Sequence, residues 1–375
     1  MRINRLQLEQ FRSYRKLDWE LPEASIHLLL GRNGVGKTNI LEAIGVLSEG
    51  GSFLGRDEEE LVTWGEHYYR VRAQMISDAQ EENVLEAVSE RSPRTRRAFF
   101  VRDVRASAKE FFGILPTVIF LPQDLDLFTG PPAYRRRLLD RALQQVTSQY
   151  RLSLETYQKT LKQRAALLRH IAQGTGRRED LMLWNAILAK EGATITLRRL
   201  ELLEVLQCTL SEELHRLGEA WDQPAFQYER TSKARTEPEI EEEILRELAR
   251  IEDRDILLQA TSTGPHRDDW GIRVSDRDLP SFASRGQQRT AVLALLFLLG
   301  SYLELQRGEK PVILLDDVFS ELDTNHQEAL LSAFGDHQVF ITATHSPETL
   351  QEASVWQVEQ GMVRFSPAAA ISNRA

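Results

Sequence analysis

The stretch "LLLGRNGVGKTNILEAI", residues 28–44, decides the fold. An apolar strand is followed by a glycine-rich loop and a helix, and the loop fits the phosphate-binding pattern G-x-x-x-x-G-K-[ST]. Glycines are needed because the backbone wraps the phosphates closely, while free N–H groups at the helix start hold the anion. We predict that Lys37 reaches the β- and γ-phosphates and that Thr38 binds Mg²⁺. The predicted nucleotide contacts are Gly31, Arg32, Asn33, Gly34, Val35, Gly36, Lys37 and Thr38.

Acidic residues follow a second apolar strand in "PVILLDD". Open α/β sheets place their ligand chemistry at the carboxyl ends of the strands, where Asp316 and Asp317 fall. We expect Asp316 to hold Mg²⁺, directly or through water, and Asp317 to polarise the attacking water. His345 ends the next strand, in "QVFITATH", and is a candidate sensor of the γ-phosphate. A lone histidine in such a place is more often structural.

A second phosphate-facing helix start appears in "SFASRGQQRTAVLALLFLL", residues 281–299. Ser284 can cap a helix that begins near Gly286, and the small glycine lets a phosphate approach the backbone. One chain therefore carries two anion-binding helix starts far apart in sequence, which requires an explanation.

Length and composition favour a globular protein of one large or two ordinary domains. The chain has 375 residues, of which 42% are hydrophobic and 27% charged. Its sole cysteine, Cys208, excludes disulfides within the chain and a four-cysteine zinc site, and fits a reducing compartment. The N-terminal sequence has no apolar signal core, and the most apolar run, residues 291–299, is too short to span a membrane. We therefore expect a cytoplasmic protein without a membrane partner.

The net charge of −9 argues against a nucleic-acid partner at first sight, but the charge is unevenly distributed. Residues 237–255 contain nine acidic residues and three arginines, in a pattern typical of an exposed helix start. Residues 91–109 contain seven cations and one acid. The candidate DNA contacts are Arg94, Arg96, Arg97, Arg102, Arg105 and Lys109, with Arg135, Arg136 and Arg137 as a second cluster. The alternative for each cluster is a solvated strand or helix face.

The chain is organised in three parts. Short β-rich runs fill the first part, up to about residue 130, and α/β character returns in the last part. In the middle, apolar residues from Tyr150 to Ile171 recur at spacings of three, four and seven, interrupted by Arg164. Two glycines break this pattern before a second helical run from Leu181, which predicts an antiparallel helical hairpin. We predict a head made of residues 1–130 and 255–375 and a helical insertion of residues 131–254.

The motifs follow a recognisable order. After the phosphate loop come Gln123 behind the strand "TVIFLP", "SRGQQ" at 284–288, Asp316 and Asp317, "SELD" at 320–323, and His345. This order resembles that of ABC-type ATPases, with "SRGQQ" in the place of the L-S-G-G-Q signature. "FRSY" at 11–14, "GPHRDD" at 264–269, "SRGQQRT" and "LLDDVFSELD" together resemble the RecF family of DNA repair proteins.

This resemblance implies an α/β fold: an ABC-type P-loop ATPase head, like those of SMC and Rad50 proteins, with an inserted helical lobe. It implies ATP and Mg²⁺ as cofactors, slow hydrolysis, double-stranded DNA as a partner, and action with RecR and RecO in loading RecA at gaps. In ABC-type ATPases the two anion sites of one monomer face apart, so a second monomer places its signature on the first monomer's ATP. The residues assigned in this way are Arg12 at the phosphates, Gln123 at Mg²⁺ and water, Ser320 and Asp323 in the D-loop, and Ser284, Arg285, Gly286, Gln287 and Gln288 in the signature.

Three alternatives stay open. A transporter ATPase subunit shares the chemistry but has a shorter insertion, and an SMC or Rad50 head carries a far longer coiled coil. A nucleotide-gated scaffold would bind ATP without turnover, and Asp317, where many ABC-type ATPases have glutamate, favours slow turnover. "GPHRDD" has two readings of its own, since His266, Asp268 and Asp269 are possible metal ligands and a tight turn packing the two lobes uses the same residues.

Overall fold

The structure is a computed structural model that describes residues 1–91, 95–230, 233–347, 350 and 353–366. In chain order its strands are β1 (Arg2–Phe11), β2 (Tyr14–Glu20), β3 (Ile26–Leu30), β4 (Tyr68–Ile76), β5 (Glu82–Glu90), β6 (Arg96–Val101), β7 (Val104–Ala106), β8 (Thr117–Phe120), β9 (Ala225–Glu229), β10 (Asp269–Val274), β11 (Arg277–Asp278), β12 (Val312–Asp316), β13 (Val339–Ala343), β14 (Ser354–Glu359) and β15 (Met362–Ser366). Its helices are α1 (Lys37–Glu49), α2 (Ala108–Phe111), α3 (Pro132–Val146), α4 (Ser148–Ala172), α5 (Leu181–Arg216), α6 (Glu237–Arg250), α7 (Glu252–Leu258), α8 (Leu279–Phe282), α9 (Arg285–Arg307) and α10 (Thr324–Ala333).

The chain forms two compact units. The head unit contains residues 1–125 and those from 292 onward, and the helical unit contains residues 126–291. This division differs from the predicted boundaries mainly at residues 255–291, which group with the helical unit. The reason is that β10 pairs with β9, and both strands belong to that unit.

The described residues of the head unit form two six-stranded sheets. One has the order β15-β14-β3-β13-β12-β8 and is parallel except for β15, while the other is the antiparallel sheet β2-β1-β4-β5-β6-β7. Strands β12 and β13 are buried along their whole length, as expected for a parallel sheet covered on both faces. Their register pairs Asp316 with Thr342, and β13 pairs Ala343 with Leu30 of β3. The carboxyl ends of the three strands therefore meet at one edge of the sheet.

The helical unit contains the predicted hairpin as α4 and α5, which pack against each other. Arg164, which interrupts the apolar pattern of α4, is completely buried. Its guanidinium donates to Asp255 at 2.7 Å, to Thr261 at 2.8 Å and to Asn185 at 2.8 Å. The break in the apolar pattern therefore marks a buried ion pair that ties the hairpin to α7.

The "GPHRDD" segment is a turn fastened to the helices of its own unit. Gly264 has φ +115°, and a side chain there would overlap the Tyr157 hydroxyl. Tyr157 donates to Nδ1 of His266 at 2.7 Å, and Nε2 of His266 lies 3.0 Å from the Thr261 carbonyl. Arg199 donates to the carbonyl of Pro265 at 2.7 Å.

The two aspartates of this segment are also engaged by the helical unit. Asp269 receives two bonds of 2.7 Å from Arg135, and Asp268 accepts from Tyr228 at 2.9 Å. Within the described ranges no group of three or more His, Cys, Asp or Glu side chains could hold a metal ion. The hypothesis that this segment binds a metal ion is therefore wrong for the described residues. Its hydrogen bonds instead connect several elements of the helical unit.

Helix α9 is long and apolar enough to cross a membrane by composition alone, but 78% of its most apolar window is buried inside the protein. Residues 291–299 are all buried, as predicted for a core helix.

Candidate nucleotide site

The phosphate loop joins β3 to α1 and has the backbone that its glycines permit. Gly34 and Gly36 have φ of 80° and 109°. A Cβ atom at Gly31 would lie 2.6 Å from the carbonyl oxygen of Val358, and one at Gly36 would lie 2.6 Å from Oγ of Ser13. Side chains are therefore excluded at these positions, and the loop presents its backbone at the start of α1.

Lys37 is held inside the loop. Its ammonium group donates to the carbonyls of Gly31 at 2.6 Å and Arg32 at 3.0 Å. Burial lowers the pKa of Lys37, while the negative charges of Asp317 and Asp316 oppose this shift. The ammonium is therefore fixed by loop carbonyls, and both carboxylates stabilise its charge.

Thr38 and Asp316, two of the three predicted metal ligands, are in direct contact. The Thr38 hydroxyl lies 2.8 Å and 3.0 Å from the two carboxylate oxygens of Asp316. Burial raises the pKa of Asp316, although hydrogen bonds from Thr342 and Thr38 act in the opposite direction. A hydroxyl beside a partly desolvated carboxylate is an oxygen donor set that suits Mg²⁺.

Thr342 is a site residue that the sequence reasoning missed. Its hydroxyl donates to Asp316 at 2.7 Å and accepts from the backbone N–H of Asp317 at 2.9 Å. The signal was available, because Thr342 is a polar residue near the end of an otherwise apolar strand. Recognising it also required the register between β12 and β13.

Asp317 leaves the sheet in a left-handed conformation with φ 51°. Its carbonyl accepts from the Ser320 hydroxyl at 2.8 Å. Asp323 caps α10 by accepting from the backbone N–H of His326 at 3.0 Å. The predicted D-loop thus forms a tight turn between the carboxylates and α10.

Gln123 and His345 follow strands that neighbour β12 on either side. Gln123 is half-buried in a 3-10 turn, Pro122–Asp126, directly after β8. His345 is exposed after β13, and its Nδ1 lies 3.0 Å from the Thr344 hydroxyl. Both residues therefore lie at the sheet edge that carries Asp316.

Arg12 lies beside the loop with a fixed side chain. It has φ 54°, pairs with Glu42 at 2.8 Å and donates to the carbonyl of Glu60 at 2.8 Å. Glu42 is completely buried on α1, a position that the sequence reasoning also missed. The position of Glu42, a carboxylate one turn after Thr38 in an otherwise apolar helix, could have indicated that it pairs with a cation.

A cavity of about 920 Å³ opens next to Arg12. Its walls include Arg12, Ser13, Asn39 and Trp64. Trp64 is 95% exposed, although it is a large aromatic residue that usually contributes to a core.

The second helix start has the predicted cap. Oγ of Ser284 accepts from the N–H of Gln287 at 3.3 Å, and the Gln287 side chain accepts from the N–H of Ser284 at 3.0 Å. A Cβ atom at Gly286 would meet only Oγ of Ser284, at 3.9 Å. Ser284, Arg285 and Gly286 are exposed, but Gln288 is buried and donates to the Ala283 carbonyl at 2.9 Å. The contact of Gln288 with a second copy therefore stays a prediction.

The first predicted DNA cluster is exposed at the edge of the antiparallel sheet. Arg102 and Asp103 form a two-residue hairpin turn with positive φ at both positions. Arg97 lies 3.7 Å from Glu58, and Arg102 lies 3.8 Å from Glu81. The exposed cations of this cluster are Arg96, Arg97, Arg102, Arg105 and Lys109, whereas Arg94 lies outside the described residues.

The second predicted DNA cluster divides by burial. Arg135 is buried against Asp269 and also donates to the Leu127 carbonyl at 2.6 Å. It is a structural residue, and its assignment as a DNA contact is wrong because both ends of its guanidinium are engaged. Arg136 is half-buried and Arg137 is exposed.

The fold and the loop define the chain as a P-loop nucleotide-binding head of the SMC type. Residues 2–364 match the family model described as "RecF/RecN/SMC N terminal domain". A solved structure of an SMC head bound to the C-winged helix domain of ScpA shares the fold at 16% identity, with a TM-score of 0.54 over 97% of this chain and 96% of that chain.

More similar proteins narrow the assignment. The DNA replication and repair protein RecF of Heliobacterium modesticaldum is 35% identical over 373 residues, which cover 98% of this chain and 100% of that protein. RecF of Moorella thermoacetica is 34% identical over 96% of this chain and 95% of its own length. A solved structure of the recombination mediator protein RecF-ATPrS in the RecFOR pathway has a TM-score of 0.88 at 31% identity, over 97% of this chain and 98% of that chain. The chain belongs to the RecF family.

Proposed function

We propose that the chain binds ATP with Mg²⁺ at the phosphate loop and hydrolyses it slowly, and that this cycle controls its binding to DNA during replication and repair. The observation that carries the proposal is the contact between Thr38 and Asp316, which joins the phosphate loop to the carboxyl end of β12. Solved structures similar to this chain are described as RecF-ATPrS and RecF-ATP, which supports the choice of nucleotide.

The site residues have distinct roles in this proposal. Thr38, Asp316 and Gln123 would hold Mg²⁺, which when bound would neutralise charge on the phosphates. Lys37 would exchange its two carbonyl partners for the β- and γ-phosphates, because a phosphate is the stronger acceptor. Asp317 would orient and polarise the attacking water, and His345 would contact the γ-phosphate.

The cavity beside Arg12 would receive the nucleoside. It adjoins Asn39 at the start of α1, where the phosphates would lie, and Trp64 offers an aromatic face to a purine. Stacking on an exposed indole stabilises a base without reading its identity strongly. Arg12, held by Glu42, would face the phosphates or ribose from the same side.

ATP would also link two copies of the chain. The capped helix start at Ser284 offers free N–H groups and an open glycine, which suits a phosphate that another surface already holds. A two-fold arrangement would place this helix start of each copy on the ATP of the other copy. The two phosphate-facing helix starts of one chain would then serve two different nucleotides.

Double-stranded DNA is the proposed partner of the exposed cations around the β6–β7 hairpin. Phosphate contacts by arginine and lysine give affinity without sequence specificity. RecR and RecO are proposed protein partners, because a similar solved structure is described as belonging to the RecFOR pathway. With these partners the chain would help to load RecA in the cytoplasm.

Steady-state ATP hydrolysis with and without duplex DNA tests the proposal. We expect slow, Mg²⁺-dependent turnover that duplex DNA changes, together with quenching of tryptophan fluorescence on ATP binding that is reduced in Trp64→Phe. ATP binding without any turnover would favour a nucleotide-gated scaffold. Absence of ATP binding would reject the site.

A further inference from the structure

A pocket of about 320 Å³ lies within the helical unit, between α3, α4, α5 and the turn at 265–266. Helix α3 contributes residues spaced by three and four positions, so one face of this helix lines the pocket. These residues are Ala133, Arg136, Arg137, Asp140 and Gln144. The pocket is separate from the phosphate loop, whose residues belong to the head unit.

Two adjacent arginines of the pocket lack a carboxylate partner. Within the described part of the chain, neither Arg136 nor Arg137 lies within 4.0 Å of a carboxylate oxygen. Arg136 is half-buried and donates to the carbonyl of Asp268 at 2.7 Å, which leaves most of its N–H groups unengaged. Arg137 is exposed, with its guanidinium carbon 5.9 Å from the ring centre of Tyr134.

The carboxylates nearest to Arg136 are already engaged by other groups. Asp140 pairs with Arg199 at 2.8 Å and Asp269 pairs with Arg135 at 2.7 Å. Asp268 accepts from Tyr228. One further carboxylate, Glu155, lines the pocket from α4 and is exposed to solvent. The chain therefore leaves the donors of Arg136 and Arg137 available to a group from outside.

We propose that this pocket binds a single phosphate-type oxyanion between Arg136 and Arg137. A guanidinium presents parallel N–H donors that match two phosphate oxygens, and two neighbouring arginines hold such a group more strongly than one. Burial and then the positive charge of Arg199 lower the pKa of Arg136. The surroundings thus disfavour another cation and are improved by an anion.

The oxyanion has two possible sources, a phosphate of the DNA backbone and a free phosphate or phosphorylated small molecule. A DNA phosphate as the source rests on the proposed DNA binding, in which other phosphates of the duplex contact the β6–β7 hairpin. A free phosphate or phosphorylated small molecule as the source does not depend on DNA binding. Full-length Arg136→Met and Arg137→Met are therefore compared with wild type in two measurements. One is affinity for a labelled duplex as a function of salt concentration, and the other is calorimetric titration with inorganic phosphate at constant ionic strength.

Arg177→Met is the matched control, because Arg177 is an exposed arginine of the same unit that does not line the pocket. If DNA is the source, each pocket variant should flatten the salt dependence of log K by at most about 0.9, the value of one whole phosphate contact. If a free anion is the source, wild type should bind phosphate and the pocket variants should lose that binding, with duplex affinity unchanged. Either pattern, with the control unchanged, supports the proposal.

The proposal is overturned if neither duplex binding nor phosphate binding changes in the pocket variants. It is also overturned if Arg177→Met reduces duplex binding or phosphate binding as much as the pocket variants do. Arg136→Met also removes the bond to the Asp268 carbonyl and can disturb folding, which thermal unfolding would reveal. Arg137→Met keeps that bond and then decides the question. Binding of a fluorescent ATP analogue, measured in all variants, distinguishes failure of the pocket from failure of the nucleotide site.

Discussion

At the scale of single residues, the nucleotide site depends on a few polar atoms that the sheet edge brings together. Thr38 comes from the phosphate loop, Asp316 from β12 and Thr342 from β13, and their hydroxyl–carboxylate bonds are 2.7–3.0 Å long. Each of these side chains is ordinary by itself. Their chemistry arises because these two hydroxyls, the Lys37 ammonium group and the carboxylates of Asp316 and Asp317 share one partly desolvated site.

Lys37→Ala should weaken ATP binding or stop hydrolysis while the fold stays intact. The reason is that its ammonium group is held by carbonyls of the loop and would neutralise the β- and γ-phosphates. Equilibrium binding of a fluorescent ATP analogue and far-ultraviolet circular dichroism check this. Wild-type affinity combined with wild-type turnover would reject the assignment of the loop.

Asp317→Asn should retain ATP and slow its hydrolysis by about 10²–10⁴-fold. Asp317 is expected to act on the attacking water, and removal of a general base typically costs two to four orders of magnitude, or about 10²–10⁴-fold. Thr342 would still hold the backbone N–H of residue 317, so the turn should keep its geometry. Single-turnover hydrolysis measures the chemical step directly, and an unchanged rate would assign the base to another residue.

The unfolding free energy should fall as the pH is lowered from about 6.5, the pKa of an unperturbed histidine, towards 4. Burial lowers the pKa of His266 to about 4, so the folded chain keeps this imidazole neutral. The unfolded chain binds the extra proton over this range, and protonation therefore favours unfolding. His266→Gln should show a shallower pH dependence in urea unfolding, whereas slopes equal to those of wild type would contradict the buried neutral state. His27, whose pKa burial also lowers to about 4, would still contribute in the variant.

At the scale of elements, the helical hairpin is stabilised by polar contacts as well as by its apolar faces. Arg164 of α4 and Asp255 of α7 are both completely buried, and Asp255 also accepts from the backbone N–H and hydroxyl of Ser262. The turn at 264–269 adds bonds to α3, α4 and α5. These contacts explain why residues 255–291 fold with the helices rather than with the head.

Arg164→Met should destabilise the helical unit by about 3–5 kcal/mol, because it leaves the Asp255 carboxylate buried without a counter-charge. The double variant Arg164→Met, Asp255→Asn should recover part of this loss, since an amide can keep an acceptor for Ser262. Arg178→Ala is the control, because Arg178 pairs with Glu252 and Asp253 at the exposed surface, where a pair contributes at most about 1 kcal/mol. Urea unfolding followed by circular dichroism gives the three values, and equal effects of the buried and exposed changes would refute the argument.

At the scale of the whole molecule, the chain has two helix starts suited to phosphate, one at Lys37 in the head unit and one at Ser284 in the helical unit. The proposed ATP-dependent dimer would give a nucleotide to both of them.

ATP with Mg²⁺ should shift the chain from monomer to dimer, and Ser284→Arg should block the shift. The arginine would remove the cap at Gln287 and place a large side chain where the nucleotide of the other copy is expected. Analytical ultracentrifugation with a slowly hydrolysed ATP analogue measures the dimer fraction. Equal dimer fractions for wild type and Ser284→Arg would exclude the role in trans, and retained binding of the analogue by the variant shows that the phosphate loop is unaffected.

The amino-acid sequence by itself determined the strand–loop–helix of residues 28–44, the positions of Asp316 and Asp317 at a strand end, the hairpin of α4 and α5, and the cap at Ser284. These features depend on neighbours within a few positions, through apolar periodicity, the backbone freedom of glycine and the hydrogen-bonding reach of a short side chain. Local patterns of this kind can be recognised without any tertiary contact.

Only the tertiary structure decided which polar residues meet. Thr342 contacts Asp316 because of the register of two strands, and Glu42 of α1 pairs with Arg12. Arg135 is buried because it pairs with Asp269, which lies far along the chain. In the sequence Arg135, Arg136 and Arg137 have equal standing as cations. The fold buries the first, half-buries the second and exposes the third, because consecutive helix residues point about 100° apart and only one of those directions faces the core.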